Sequence, residues 1–367
     1  MTPPTPRHIA LLLPELEAGG AQRVMLLLAR EFAARGHRVD LVLLRAAGPL
    51  LAEVPAGVHI VDLVARTHGL GQFGFSLSSV RRLAAWLRRT RPDAMLSTIT
   101  GANLVAILAR RAACVPLRLA IREAGSITAI TSPLRLQLMR WLYPHADTVI
   151  ALSPVMAKQL SQVIHISPRR VRYIPNPVDT ACIRDRGQAH LADPWLDDPH
   201  LKVVIAVGRL IPQKDYATLL RAFALLPKEL PARLIIVGEG PQRPILETLI
   251  HNLGIGERIQ LTGFDANPWR WMSRADLFVL SSTSEGHPNA LLEALALGLP
   301  AVITEYDASA ADLAAHFKLR SVPPNTPQAL SLALFDLLSA QHSRCDAASG
   351  NARETIERYL AELQRPA

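Results

Sequence analysis

One stretch constrains the fold of this chain more than any other, the run from Asp276 to Ile303. Asp276-Leu277-Phe278-Val279-Leu280 reads as a buried strand, and Ala301-Val302-Ile303 as the next one. Between them, Pro288 suits the first turn of a helix, where its missing N–H costs nothing, and Gly298 is placed to end that helix. Glu285 therefore lies on the loop entering the helix, and Glu293 lies inside it. The residues flanking Glu293, from Ala290 to Leu297, are apolar on every face, so the helix is expected to be buried. A lone carboxylate there is costly unless donors meet it. An internal salt bridge would meet it, and so would the hydroxyls of a ligand. The free N–H groups at the helix start would in turn meet a phosphate.

Short apolar runs alternate with helices along the rest of the chain. His8-Ile9-Ala10-Leu11-Leu12-Leu13 fits a parallel strand covered on both faces. It leads to Gly19-Gly20-Ala21-Gln22-Arg23-Val24, a helix from Val24 to Arg35 stopped by Gly36, and a strand from Val39 to Leu44. Strand, glycine loop, helix and strand is the arrangement that brings backbone N–H groups to a phosphate, although a glycine pair by itself marks tight turns everywhere. Further strands are expected at 58–63, 94–97, 117–121 and 147–151, and helices at 77–91, 101–111, 133–143 and 153–163. A loop carrying Gly69, Gly71 and Gly74 separates the third strand from the next helix. In Val171 to Asp179, the two prolines around Asn176 cannot continue a strand or helix, so this segment reads as an extended linker between domains at 1–179 and 180–349. Residues 192–200, rich in Asp and Pro, read as a surface loop. The second domain opens with Leu201 to Val207, a strand ending in Gly208-Arg209-Leu210. Lys214 follows five residues after Arg209, and two cations past the carboxyl end of a strand suit a diphosphate. Alone, such an arginine is more often a surface salt bridge. More strands are expected at 233–237 and 258–261.

Composition narrows the class. With 367 residues, 49% of them hydrophobic, the chain can bury two cores of ordinary size. Cys114, Cys182 and Cys345 lie far apart with no metal or disulfide spacing, which favours a reducing compartment. No apolar run reaches the length of a membrane span, and the run from Ile9 to Leu13 is too short for a signal peptide, so a cytoplasmic protein is expected. Charge is uneven: residues 1–179 carry 22 Lys and Arg against 10 Asp and Glu, whereas residues 180–367 carry 18 against 21. The basic half points to an anionic partner. Only 5% of residues are aromatic and no nucleic-acid motif occurs, so no nucleic acid is expected. Anionic lipid headgroups or a phosphate-bearing acceptor fit instead, the former through helices such as 77–91, with Leu83, Trp86 and Leu87 on one face and five arginines elsewhere. An arginine-rich composition alone could produce the same imbalance. The bland reading is that this face packs inward and the arginines are solvated.

Two glutamates in the form Glu285-Gly286-His287-Pro288-Asn289-Ala290-Leu291-Leu292-Glu293-Ala294 resemble the signature of the retaining glycosyltransferases of family four. That resemblance implies the glycosyltransferase-B fold, two Rossmann-like doubly wound α/β domains facing across a cleft, with a last helix within 343–363 returning so that 350–367 pack on the first domain. Other segments are similar to the family as well: Gly208-Arg209-Leu210 with Lys214, although Asp215 stands where Gly is usual; Gly238-Glu239-Gly240-Pro241; Pro175-Asn176-Pro177-Val178-Asp179; and Thr262-Gly263-Phe264, where relatives place the nucleobase. Asn103 matches a polar position common in the family, and Glu123 matches a glutamate close to the reacting sugar, with Ala124 where relatives carry His. Glu123 could instead pair with Arg122 or Arg118. After Ile303 the likeness fades, and Glu305-Tyr306-Asp307-Ala308-Ser309 replaces a glycine-rich turn.

The resemblance implies an enzyme that moves a hexose or N-acetylhexosamine, with retention, from a nucleoside-diphosphate sugar to a glycan or lipid-linked acceptor in surface-polysaccharide assembly, the donor being uridine-linked. Arg209 and Lys214 would stabilise the departing diphosphate, helped by Gly19, Gly20 and the Asn289-Ala290 end of the helix. By resemblance, Glu293 would hold the ribose hydroxyls and Glu285 those of the sugar, with Gly208, Gly263, Gly286 and His287 lining the donor and Glu123 on the acceptor side. No Asp-x-Asp occurs, so neither a metal nor any cofactor is expected beyond the donor substrate itself. The alternatives are an epimerase or hydrolase of the same fold, and a donor-binding scaffold without turnover.

Overall fold

The structure is a computed structural model describing residues 7–17, 19–64, 76–340 and 352–365. The expected glycine loop at Gly69, Gly71 and Gly74, Cys345, and the 343–351 part of the expected last helix lie outside the described residues. The chain folds as two units, Met1–Pro177 with Arg353–Ala367, and Val178–Ala352.

The first unit holds strands β1 (His8–Leu13), β2 (Arg38–Leu43), β3 (Val58–Asp62), β4 (Ala94–Thr98), β5 (Arg118–Arg122), β6 (Thr148–Ala151) and β7 (Val171–Tyr173). They form one sheet in the order β3-β2-β1-β4-β5-β6-β7, every pair parallel. The second unit holds β8 (Lys202–Val207), β9 (Ala232–Val237), β10 (Ile259–Gly263), β11 (Leu277–Leu280), β12 (Ala301–Thr304) and β13 (Arg320–Val322). Their order is β10-β9-β8-β11-β12-β13, again all parallel. Parallel strands need crossover helices, which cover both faces, and this explains why central strands such as β4 and β11 are buried throughout. The strand order reverses between β1 and β4 in one sheet and between β8 and β11 in the other. At such reversals adjacent loops leave in opposite directions and open a crevice at the carboxyl ends of the strands.

Several elements differ from the sequence reading, each for a local reason. The first helix spans Gly20–Ala34 and so starts before Val24, because the Gly19 carbonyl accepts the Arg23 N–H at 3.1 Å. The supposed linker begins with a real strand, β7, which pairs with β6 at the sheet edge; only from Ile174 on do the prolines keep the chain extended. Within the expected loop at 192–200, Pro194–Asp197 forms one helical turn, because Asp193 accepts the N–H groups of Trp195 and Leu196. The helix carrying Glu293 runs from Asn289 to Ala296, with Pro288 just before it. It is not buried on every face: Leu291, Ala294, Leu295 and Ala296 are buried, whereas Ala290, Leu292 and Glu293 are partly exposed. Helix Leu77–Thr90 packs Leu83, Trp86 and Leu87 inward, so the apolar face considered for a membrane belongs to the core.

The last helix, Ala352–Gln364, is a fixed part of the first unit. It buries Ile356, Tyr359, Leu360 and Leu363. Its polar anchor is Arg122, fully buried at the end of β5. The Arg122 Nε donates to the Tyr359 hydroxyl at 3.2 Å, Nη1 donates to Thr98 Oγ1 at 2.8 Å, and Nη2 donates to Asn176 Oδ1. A guanidinium keeps its proton under all ordinary conditions, so in the core it must find acceptors. Asn176 lies just before the chain leaves this unit, and the last helix lies where it returns; Arg122 ties both to the sheet. Tyr359→Phe strands the Arg122 Nε and is expected to cost about 1–3 kcal/mol. A urea midpoint for the first unit equal to that of the wild type would contradict this.

Candidate functional site

The site is built where β8 and β11 end, on either side of the strand reversal in the second unit. The β8 end is glycine-dependent. Gly208 donates its N–H to the Val237 carbonyl at 3.0 Å, and Gly238 donates to the Gly263 carbonyl at 2.8 Å. A Cβ on Gly238 would lie 1.9 Å from the Gly208 carbonyl oxygen, and one on Gly240 would lie 2.5 Å from that of Leu210. No side chain fits either gap, so the glycines let the ends of β8, β9 and β10 come together. Gly263 adds a left-handed φ of +83°. Arg209 is exposed, and its side chain makes no hydrogen bond or ion pair among the described residues. One turn later Asp215 takes a left-handed φ of +45° and accepts the Thr218 N–H at 3.2 Å. Relatives' usual glycine at this position is thus replaced by a residue that tolerates the same backbone and caps the next helix.

From the neighbouring strand, the loop after β11 closes over these residues. Lys214 Nζ and Glu285 Oε1 form an ion pair at 2.6 Å, and the Ser282 hydroxyl donates to the same oxygen at 2.6 Å. Both charged side chains are largely buried, Lys214 18% and Glu285 8% exposed. The backbone closes the same gap: the Thr283 N–H donates to the Gln213 carbonyl at 2.9 Å, and Ser281 Oγ donates to the Lys214 carbonyl at 2.7 Å. Burial, with the Glu285 charge close by, pushes the phenols of Tyr216 and Tyr306 far above the ordinary tyrosine range, so both stay protonated.

The helix that follows has its own entry geometry. Gly286 is buried, His287 Nδ1 and Asn289 Oδ1 lie 3.2 Å apart, and the Asn289 N–H donates to the His287 carbonyl at 3.0 Å. Among the described residues the N–H groups of Ala290 and Leu291 have no acceptor, which leaves them as the donors at the helix start. Glu293, in the second turn, accepts the indole N–H of Trp269 on Oε2 at 2.9 Å. An indole is thus one donor that meets this carboxylate. Trp271, on the same short helix Trp269–Met272, donates to Asp265 at 2.7 Å. Burial opposes ionisation of Asp265, but the Asn267 N–H, the Trp271 indole and Arg270 outweigh it and hold its carboxyl below the usual range. Neither tryptophan stood out in the sequence, although two of the chain's five occur in Trp269-Arg270-Trp271.

In the first unit, Gly19 precedes the first helix and Gly20 opens it, beyond the carboxyl end of β1 at that sheet's reversal. Glu123 follows β5 and is buried, as is Asn103. Glu123 accepts from Tyr143 at 2.5 Å, from Thr100 at 3.1 and 3.2 Å and from the Gly125 N–H at 3.3 Å, and it pairs with neither Arg122 nor Arg118. Burial and the Glu123 charge push the Tyr143 phenol well up. Of the expected site residues, the structure thus joins Lys214 to Glu285 directly, sets Gly208 beside them, and gives Glu293 and Glu123 partners of other kinds. Among the described residues no helix is long and apolar enough to cross a membrane, and no group of three or more His, Cys, Asp or Glu residues could hold a metal ion.

Residues 18–181 match the model of the family described as Glycosyltransferase Family 4, and residues 193–355 match that described as Glycosyl transferases group 1. Over 176 residues the chain is 36% identical to the N-acetylgalactosamine-N,N'-diacetylbacillosaminyl-diphospho-undecaprenol 4-alpha-N-acetylgalactosaminyltransferase of Campylobacter jejuni, covering 48% of this chain and 46% of that protein. It is 31% identical over 172 residues to the lipopolysaccharide core biosynthesis glycosyltransferase LpsE of Rhizobium meliloti, covering 47% of each. These matches span about half the length of those curated relatives. Among solved structures, HepE of Anabaena in complex with UDP and glucose aligns with a TM-score of 0.75 at 21% identity, over 98% of this chain and 97% of that one. WaaG, a glycosyltransferase involved in lipopolysaccharide biosynthesis, aligns with a TM-score of 0.72 at 18% identity, over 96% and 95%.

These alignments give the chain the two-domain α/β fold of the glycosyltransferase-B class. With the family 4 model matching its first half and the group 1 model its second, the chain is a glycosyltransferase of the family 4 type.

The ion pair at the centre of the site makes a stability prediction. Lys214→Met leaves the Glu285 carboxylate without its cation and is expected to cost about 2 kcal/mol, somewhat under the figure for a fully buried pair. Adding Glu285→Gln removes the orphaned charge and is expected to restore most of that loss. Thermal melts in which the double variant falls below the single one would contradict this account.

Proposed function

We propose that this chain transfers a hexose or N-acetylhexosamine from a nucleoside-diphosphate sugar, uridine-linked, to a glycan or lipid-linked acceptor in cell-surface polysaccharide assembly, with retention of anomeric configuration. The observation that carries this reading is the meeting of Lys214 and Glu285 at 2.6 Å across the strand reversal, with the exposed Arg209 on the same loop as Lys214. The difficulty in glycosyl transfer is the departure of a diphosphate that gains negative charge as the bond to the anomeric carbon breaks. Fixed positive charge and oriented N–H groups at that position lower the barrier, because no reorganisation is needed at the moment of reaction.

Arg209 and Lys214 supply the cations, and the N–H groups of Ala290 and Leu291 supply oriented dipoles. Lys214 can hold Glu285 with one N–H and a phosphate oxygen with another. Glu285 then accepts from hydroxyls of the transferred sugar, and Glu293 from those of the ribose. Gly208, Gly263, Gly286, His287 and Asn289 line the donor. The diphosphate oxygen released on the same face takes the proton of the incoming hydroxyl. Glu123, whose oxygens already accept from Thr100, Tyr143 and Gly125, is read as shaping the acceptor side through these neighbours. The acceptor is read as anionic or membrane-borne: the first half is strongly basic, and Leu134 and Trp141 stand exposed on helix Pro133–Leu142.

Release of nucleoside diphosphate only when acceptor is added distinguishes transfer from hydrolysis, and tight donor binding without turnover would mark a scaffold. A thermal-stabilisation screen of UDP- and GDP-sugars identifies the donor. Because Arg209 is exposed and unpartnered, Arg209→Ala is expected to leave stability within about 0.5 kcal/mol of the wild type. The same variant is expected to weaken UDP binding at least tenfold, as loss of a charge-assisted contact requires. Calorimetric titration giving equal affinities would remove Arg209 from the site.

A further inference from the structure

The indole of Trp269 donates to Glu293, and its surroundings are more elaborate than a core indole needs. Its ring is buried, with only 8% exposed. The Arg186 guanidinium stacks over that ring, 4.9 Å from its centroid. Arg186 belongs to helix Thr180–Gly187, whose end is fixed to the segment around Trp269 by two hydrogen bonds. Asn267 Nδ2 donates to the Arg186 carbonyl at 2.8 Å, and Ser273 Oγ donates to the Gly187 carbonyl at 2.6 Å. A Cβ on Gly187 would lie 3.3 Å from the Ser273 Cβ and 3.4 Å from Leu297 Cδ2, so this helix end fits closely between the tryptophan turn and the helix of Glu293. Two residues after Trp269, Trp271 fixes Asp265, which lies two residues beyond Gly263 at the end of β10. One helical turn therefore sets the position of both the Gly263 loop and Glu293.

We propose that Trp269 is a positioning residue for the donor nucleotide: its indole N–H holds the Glu293 carboxylate in the orientation that receives the ribose hydroxyls. The proposal rests on the reading of Glu293 as the ribose-binding carboxylate. A glutamate on a partly exposed helix face samples several rotamers, and a ligand that needs one of them must offset the lost freedom on binding. An indole N–H already bonded to Oε2 removes that cost beforehand, and a buried, stacked ring does not wander. Phenylalanine at this position would keep the stacking and most of the volume but lose the donor.

The test is calorimetric titration of the full chain with UDP and GDP, and separately with inorganic pyrophosphate. The variants are Trp269→Phe, Trp269→His, Glu293→Ala and the double Trp269→Phe/Glu293→Ala. Trp269→Phe is expected to weaken nucleotide binding about tenfold and leave pyrophosphate binding unchanged, because pyrophosphate has no ribose. Trp269→His, which keeps a ring N–H, is expected to recover part of the loss and also serves if the phenylalanine variant does not fold. In the Glu293→Ala background, Trp269→Phe is expected to have no further effect. Unchanged nucleotide affinity in Trp269→Phe, or an equal loss for pyrophosphate, overturns the positioning role alone. Unchanged affinity in Glu293→Ala, or a wild type that binds neither nucleotide, overturns the ribose reading and the positioning role with it.

Discussion

The contact on which the second unit's site depends is the ion pair between Lys214 and Glu285, groups 71 residues apart in the chain. Strands β8 and β11 are neighbours, but their connections leave in opposite directions, and nothing in a parallel ladder holds the loops beyond them together. The pair does so, supported by the Thr283 N–H on the Gln213 carbonyl and the Ser281 hydroxyl on the Lys214 carbonyl. In a site of partial burial the Coulomb attraction at such a distance amounts to several kcal/mol before desolvation offsets most of it. What remains is geometric: two loops with one arrangement. It also leaves the local charge nearly balanced at Lys214, so the cation not shared with a carboxylate is Arg209, one strand-end turn earlier.

That arrangement requires close backbone packing beneath it. The Gly208 and Gly238 backbones approach so closely that even a methyl group would overlap a carbonyl oxygen. Gly263 meets Gly238 through one antiparallel bridge at the end of an otherwise parallel pair. The strand ends thereby form a floor of backbone from which Arg209 and Lys214 project. Larger residues in these positions would push the loops apart and lengthen the reach that both cations must cover. The glycines are therefore coupled to the charge geometry, although none carries a charge.

The sequence showed the strands well because parallel strands covered on both faces are continuous apolar runs, as in Ile9 to Leu13 and Leu277 to Leu280. It also showed where the loops must lie, since Pro288 and Gly298 bracket their helix within a residue. It was blind to helix Thr180–Gly187, which buries little beyond Ile183 and Gly187 and so has no apolar stripe to read. Partnerships across long sequence separations were equally hidden. Nothing local to Glu285 points to Lys214, and nothing local to Glu293 points to Trp269. Spacing marks carboxylates set among apolar residues, whereas their burial and their donors depend on segments that only the fold brings near.

The donor type then says what each of these carboxylates is able to do. Glu123 is met by a phenol, a hydroxyl and a backbone N–H, all neutral, which satisfy the charge from several sides and bind Tyr143 and Thr100 into one cluster. Such a group rigidifies its surroundings. Glu285 is met by an ammonium and a hydroxyl on the same oxygen, so its charge is compensated mainly on one side, by a cation able to turn toward a second anion. Glu293 accepts from an indole, a donor on a rigid ring that fixes direction without itself bringing a charge. Glu123 and Glu285, both buried, and Glu293, partly exposed, thus differ in availability. The difference follows from whether their donors are neutral groups, include an ammonium, or include an indole on a rigid ring.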